Sequence, residues 1–231
     1  SNLLFSDEGF RGIVIKLTGE FEKIEIKGET AVCGAGLNLA FAVKKTIDNS
    51  LSGLEYFGCI AGTVGGAVYG NAGLKNIWID SAVKSVEILD YSGLSKKLER
   101  EEIKFDYRSS GLKKVIITRV EFILKKADKN DILNTALQEI QKRKKFQPFG
   151  VKSAGCIFKN PQAQSAGSLI DSLGLKNYSV GNIQISDVHA NFFINKGQGS
   201  SKDMLSLINF VQKKVKEKFN TNLETEIKII K

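Results

Sequence analysis

Gly53 to Gly73 read GLEYFGCIAGTVGGAVYGNAG, a run dense in glycine, alanine and other small residues. A glycine inside a regular element costs roughly 1 kcal/mol relative to alanine. Such density therefore indicates a backbone that turns sharply or lets a ligand approach closely. Within the run, Gly62-Thr63-Val64-Gly65-Gly66-Ala67 has the form of a tight loop opening a helix, with Thr63 as the N-cap. Unpaired N–H groups at such a helix start favour a phosphate or pyrophosphate. A purely structural glycine turn has the same pattern, and both readings stay open at this point.

Toward the N-terminus, Ile13 to Leu17 is a short apolar run that predicts a strand, and Phe21 to Val32 alternates with period two around Ile24, Ile26 and Ala31. A helix fits Asn38 to Thr46. Toward the C-terminus, Val83 to Leu89 and Val115 to Leu124 are rich in β-branched residues and predict strands. Asp131 is placed to cap a helix that runs to Lys145 over Ile132, Leu133, Ala136, Leu137 and Ile140, with the basic run Lys142 to Lys145 simply continuing it. Gln147-Pro148-Phe149-Gly150 reads as a hinge. Beyond it come a helix from Ser165 to Leu173 closed by Gly174, strands at Ile183 to Ser186 and Ala190 to Asn195, and a helix Lys202 to Phe219 capped by Ser201. The apolar face of that helix, Met204, Ile208, Val211 and Val215, reads as core, and the chain ends in an alternating strand Thr225 to Ile230. The composite is α+β, with the last strand free to return to the first.

Composition narrows the function. The 231 residues are 42% hydrophobic and 26% charged, as in a globular protein with ample chain for a core. No apolar run approaches membrane-spanning length and no secretory segment is present, so a cytoplasmic protein without a membrane partner is expected. The net charge of +9 would attract phosphate-bearing partners, yet no helix-turn-helix, zinc finger or RNA-binding aromatic pattern accompanies it, so no nucleic-acid partner is expected. The 3 cysteines, Cys33, Cys59 and Cys156, are too scattered for a disulfide framework, and with the 1 histidine, His189, no metal site is expected.

Several further blocks are specific in combination. Ser1-Asn2-Leu3-Leu4, Asp7, Gly9-Phe10, Gly12, Val14-Ile15 and Leu17 stand in one pattern, and Ile60 to Gly73 in a second. Tyr107-Arg108-Ser109-Ser110, Arg143 with Gln147-Pro148, and Ser153 to Pro161 (SAGCIFKNP) follow, then Ala166 to Asp171 with Gly174-Leu175-Lys176, His189-Ala190-Asn191-Phe192 and Leu223 to Ile227. In this order, along essentially the whole chain, they resemble the UDP-N-acetylenolpyruvoylglucosamine reductase (MurB) family, shorter second type. The resemblance implies an FAD-binding α+β domain (PCMH/VAO-type) over residues 1–145, joined by the returning strand 223–231. It implies a smaller α/β UDP-sugar-binding domain over 150–222. The implied activity is NADPH-dependent, FAD-mediated reduction of the enolpyruvyl ether of UDP-N-acetylglucosamine to UDP-N-acetylmuramate in peptidoglycan synthesis, by a monomeric enzyme.

By the same resemblance the catalytic residues are Arg108, Cys156 and Glu226. Arg108 would meet the substrate carboxylate and enolate, a bidentate task suited to a guanidinium. Cys156 stands where the family has a proton-donating serine. A free thiol, with a pKa of about 8.5, is a better acid than an alkanol, so the exchange is chemically permissive. Glu226 would stabilise the same intermediate. The FAD residues implied are Ser1, Asn2, Leu3, Gly58, Gly62, Thr63, Val64, Gly65, Gly66 and Asn71, and the UDP-sugar residues Lys159, Asn160 and His189. Read without the family, Cys156 is a small buried hydrophobe, Glu226 a solvent-facing residue of a strand and His189 a structural hydrogen bonder.

Three departures accompany the resemblance. The glycine triplet and βαβ segment that precede Ser1 in the family are absent, so a longer natural protein is expected and the strand Ile13 to Leu17 would lack partners. Leu74-Lys75-Asn76 follows Asn71-Ala72-Gly73 where the family commonly has AYG, and the tyrosine-bearing insertion that one branch folds over the substrate is lacking, which marks the shorter type. Within the matched blocks Ala61 stands where proline is usual. Other readings are another FAD oxidoreductase of the same fold, and a non-catalytic remnant that binds flavin or nucleotide.

Overall fold

The computed structural model describes residues 2–74 and 77–231. The chain divides into two compact units, one formed by Ser1–Ile13 with Lys144–Lys231 and the other by Val14–Arg143. The first thirteen residues thus group with the C-terminal part and not with residues 14–143, because strand Leu3–Phe5 pairs in parallel with the last strand, Lys228–Ile230.

The Val14–Arg143 unit is built on a five-stranded antiparallel sheet in the order Ile24–Lys27, Thr30–Gly34, Val115–Ile123, Val83–Asp90, Ser95–Glu99. The period-two alternation from Phe21 to Val32 folds as a hairpin, turned at Gly28 with φ +60, which glycine adopts without strain. The second hairpin closes on Asp90, whose Oδ1 accepts from the Ser92 and Leu94 amides at 2.8 and 3.0 Å. Side chains alternate across the sheet: Ala31, Cys33, Val86, Val120 and Phe122 are buried on one face. Helices Leu39–Asp48 and Val64–Tyr69, together with Ile132 and Ala136 of helix Lys129–Phe146, belong to the same core. Burial pushes the Cys33 thiol up to about 12, which makes it an inert part of that core.

Two expectations change here. Ile13 to Leu17 forms no strand; Ile13, Val14 and Ile15 are 89%, 67% and 63% exposed, as befits an apolar run with no ladder to join. Helix Lys129–Phe146 is capped by Asp128, which accepts from the Asn130 and Asp131 amides at 2.8 and 3.2 Å, so Asp131 lies in the first turn. That frame turns Ile132, Ala136 and Glu139 inward and leaves Leu133 and Leu137 exposed.

In the other unit a four-stranded antiparallel sheet runs in the order Ser153–Cys156, Phe192–Asn195, Ile183–Ile185, Ser179–Val180. Helix Ala166–Asp171 is capped by Ser165 and helix Ser201–Phe219 by Ser200, which with Asp203 forms a capping box one residue before the expected cap. Met204, Ile208, Val211 and Val215 are buried as the sequence predicts, against Ile157, Phe158, Ile170, Ile185 and Phe193.

The sheet of the Val14–Arg143 unit has a polar outer face. There Glu121 accepts from Lys84 Nζ at 2.8 Å, Lys97 Nζ at 2.9 Å and Ser85 Oγ at 2.9 Å. These partners, the two lysines first, hold its carboxyl at about 2, against an ordinary value of 4.5. The stability this contributes is complete above the ordinary value and is lost as the pH falls toward 2. The urea midpoint is therefore expected to drop as pH is lowered through this window. Glu121→Gln should lower the midpoint at neutral pH and flatten the drop; an unchanged acid profile in the variant would refute the assignment.

Candidate active site

The glycine-rich loop of the Val14–Arg143 unit is anchored by a buried carboxylate. Glu55 accepts from Ser52 Oγ at 2.8 Å and from the Gly53 amide at 2.6 Å. Gly62, at φ +141, makes a turn that side-chain-bearing residues avoid. Thr63 caps the following helix as predicted, its Oγ1 accepting from the Gly66 amide at 3.2 Å. The helix-start amides are nonetheless not open to a diphosphate. Val64 and Gly65 donate to the Leu37 and Ala35 carbonyls, both at 2.9 Å, which ties the loop to the connection between strand Thr30–Gly34 and helix Leu39–Asp48. The reason for Gly65 is packing, since a Cβ there would lie 2.7 Å from Ala35 Cβ. Gly66 is exposed and Gly58 half-buried, so the loop presents bare backbone at both positions.

Arg108 sits at φ +57 in a tight turn whose ends bond reciprocally, Asp106 N to Ser109 O at 2.8 Å and Ser109 N to Asp106 O at 3.1 Å. A non-glycine residue in this region costs of order 1–3 kcal/mol and needs a scaffold that enforces it. Asn71 is part of that scaffold. Buried, with φ +40, it donates from Nδ2 to the Asp106 carbonyl at 3.1 Å and accepts at Oδ1 from the Asp80 amide at 3.4 Å. The sequence marks Asn71 as a cofactor residue; its side chain holds the Arg108 turn. Ser110 adds two bonds to the Tyr69 carbonyl, from N at 3.1 Å and from Oγ at 2.9 Å. Arg108 Nη1 reaches the Gly73 carbonyl at 3.4 Å.

In the other unit, Cys156 ends strand Ser153–Cys156 opposite Phe192, after a register shift spanning Ala154 and Gly155, the latter at φ +87. A bulge re-aims the side chain beside it. The next residues are held on both edges. Ile157 N donates to Asn191 O at 2.8 Å, and Ile157 O accepts from Glu226 N at 2.7 Å. Asn191 then closes a ring on Phe158: its Oδ1 accepts from Phe158 N at 2.9 Å and its Nδ2 donates to Phe158 O at 2.8 Å. Lys159 N donates to Glu224 O at 2.8 Å, and Lys159 Nζ pairs with the Glu224 carboxylate at 2.5 Å. Asn2 joins the same network through Nδ2 to Glu226 O at 3.3 Å and through its carbonyl, which accepts from Lys228 N at 2.9 Å. Cys156, Glu226, Lys159 and Asn2 thus share one strand neighbourhood.

Asn160 Oδ1 accepts from the Ala166 amide at 3.0 Å, at the start of helix Ala166–Asp171. His189 accepts at Nδ1 from Asn191 N at 3.2 Å, which leaves the proton of the neutral ring on Nε2. Burial lowers its pKa, and a Cβ on Gly167 would lie 3.0 Å from its Cε1, so the ring rests on a glycine. Leu3 is an exposed strand residue opposite Lys228, and Ser1 lies outside the described residues.

Two residues outside the expected set stand out. Arg143, quoted only as part of a motif, has a buried Nε with no hydrogen-bond partner among the described residues. Its charge acts on the half-buried Cys59 thiol of the glycine loop, whose pKa burial raises and Arg143 draws back. Asn191 was legible only as a motif letter, since nothing in its spacing reveals a backbone clamp.

The UDP-N-acetylenolpyruvoylglucosamine reductase C-terminal domain profile matches residues 147–230, and an FAD-binding domain profile matches residues 1–98. The chain is 40% identical over 232 residues to the UDP-N-acetylenolpyruvoylglucosamine reductase of Clostridium kluyveri, covering 100% of this chain and 76% of that protein. It is 38% identical over 233 residues to that of Bacillus subtilis, covering 100% of this chain and 77% of that protein. It is also similar to the crystal structure of the UDP-N-acetylenolpyruvylglucosamine reductase (MurB) from Thermus caldophilus, with a TM-score of 0.89 and 41% identity over 100% of this chain and 82% of the other. Fold and loop chemistry are those of an FAD-binding oxidoreductase. Within that class, the chain belongs to the UDP-N-acetylenolpyruvoylglucosamine reductase family.

The Asn191 clamp makes a direct prediction. Removing a buried hydrogen-bonding partner costs roughly 1–3 kcal/mol per group left unsatisfied. Asn191→Ala orphans both the N–H and the C=O of Phe158, so a loss of about 2–6 kcal/mol in urea unfolding is expected. A loss below about 0.5 kcal/mol, the range of ordinary surface substitutions, would show that the clamp carries no weight.

Proposed function

We propose that this chain reduces UDP-N-acetyl-3-O-(1-carboxyvinyl)-glucosamine to UDP-N-acetylmuramate in peptidoglycan synthesis, with FAD and NADPH. The observation that carries the reading is the placement of Cys156 at a bulge, one residue before the backbone bond that Glu226 makes to Ile157. When bound, the flavin supplies the redox chemistry between NADPH and the enolpyruvyl methylene carbon. The glycine loop fits it: Gly58, Gly62 and Gly66 would hold it against bare backbone, and Arg143 would offer a cation to its charged parts.

The chain's own residues carry the charge and the proton. Arg108 pairs with the substrate carboxylate and with the negative charge that spreads onto it as the double bond is reduced. Cys156 delivers the proton from its thiol to the carbon next to that carboxylate, and Glu226 steadies the same centre. Lys159, Asn160 and His189 bind the nucleotide sugar, with Lys159 drawn from its exposed partner Glu224 by the diphosphate. Residues 1–145, with the returning strand 223–231, serve the cofactor, and residues 150–222 the sugar nucleotide. Both substrates belong to the cytoplasm, where we place a monomeric enzyme. Among the described residues no helix is long and apolar enough to cross a membrane.

Reconstituted with FAD, the protein should be yellow and should oxidise NADPH only when the enolpyruvyl sugar nucleotide is supplied. Protein that stays colourless would exclude a flavoenzyme. Cys156→Ala should slow flavin reoxidation by substrate by roughly 10²–10⁴, the usual contribution of a positioned acid. Flavin reduction by NADPH should stay nearly intact, and Cys156→Ser should restore turnover. Equal loss in both half-reactions would refute the proton-donor role.

A further inference from the structure

Arg108 is enclosed by aromatic rings that no reading of the reaction requires. Trp78, the 1 tryptophan of the chain, meets Tyr107 edge to face, with centroids 5.6 Å apart and planes at 86°. The Arg108 guanidinium carbon lies 5.5 Å from the centroid of each ring. The approach is built into the backbone. Gly73 and Trp78 are partners in a short antiparallel pair, and a Cβ on Gly73 would lie 2.0 Å from Trp78 Cε3. The indole therefore lies across a position that only glycine leaves open, and the Gly73 carbonyl accepts from Arg108 Nη1 at 3.4 Å.

The physical consequence concerns rotamers. A free arginine loses much conformational entropy when it fixes a carboxylate. A guanidinium already resting beside two rings has lost part of that freedom before substrate arrives, and a cation–π contact engages the charge without consuming N–H donors. We propose that Trp78, with Tyr107 at its edge, is a positioning residue that holds the Arg108 guanidinium ready for the substrate carboxylate. The proposal rests on the role given to Arg108 above, and it extends that role to a residue outside the reacting groups.

The test separates the contact from its consequence. Trp78 emission in the apoprotein reports the contact directly, because the chain has no other tryptophan. Arg108→Leu should shift that emission, and no shift would overturn the proposal. In the FAD-loaded enzyme, flavin reduction by NADPH and reoxidation by the enolpyruvyl sugar nucleotide are followed separately. A cation–π contact corresponds to roughly two- to fivefold when exposed and more when shielded from water. Trp78→Leu should slow reoxidation by about that factor or up to tenfold, chiefly in kcat, with the NADPH step changed less than about twofold. Trp78→Phe, which keeps a ring, should recover most of the loss. If Arg108→Leu slows reoxidation and Trp78→Leu does not, the positioning role fails while the role of Arg108 stands. If Arg108→Leu itself leaves reoxidation intact, the role of Arg108 fails, and the proposal with it.

Discussion

The segment Ile157–Lys159 is hydrogen-bonded on both edges, to Asn191 on one side and to Glu224 and Glu226 on the other. Its importance is geometric. A strand one residue out of register presents every side chain to the wrong face. With bonds at Ile157, Phe158 and Lys159, slippage would break several at once, so Cys156 before the segment and Asn160 after it are both set in place. Phe158 meanwhile is buried and meets Phe193 edge to face at 6.0 Å, so the same residues that carry the clamp also enter the core of their unit. The edge that carries the candidate Cys156 and Glu226 is in this way tied to the packed core of its unit.

The Val14–Arg143 unit treats Arg108 in the same manner with different means. Its positive φ is uphill for an arginine, and the surroundings over-determine it: bonds from Asn71 to Asp106 and from Ser110 to Tyr69 tie both ends of the turn to the segment Tyr69–Asn71, and the Trp78 and Tyr107 rings hold the side chain. In the role proposed for Arg108, such a held conformation amounts to preorganisation, because a donor already in position needs little rearrangement when charge develops. The glycine loop shows the complementary device, in which close packing against Ala35 consumes the helix-start amides and leaves bare backbone at Gly58 and Gly66.

Local signals were readable wherever the physics is local. Thr63 and Gly174 act where their side chains, or the lack of one, dictate, and the Met204, Ile208, Val211 and Val215 stripe is core because a 3.6-residue repeat has one buried face. Misreadings arose where a neighbour decides. Ile13–Leu17 has strand composition but no ladder, Leu133 and Leu137 fit a helical stripe but point outward, and the Asp128 cap shifts the helix start. A glycine-rich helix start such as that at Thr63 predicts free amides; the Leu37 and Ala35 carbonyls, more than twenty residues earlier in the chain, occupy those of Val64 and Gly65.

By itself, the sequence determined the α+β class, the caps and turns, and the family with its candidate Arg108, Cys156 and Glu226, because motif order and side-chain periodicity are properties of the chain alone. Tertiary structure decided that Asn71 is a scaffold, that Asn191 clamps Phe158, that residues 1–13 join the C-terminal unit and that Trp78 lies over Gly73 against Arg108. Each of these depends on which backbone groups find partners across long stretches of chain. Hydrogen bonds and ring contacts between distant segments have no sequence period to announce them.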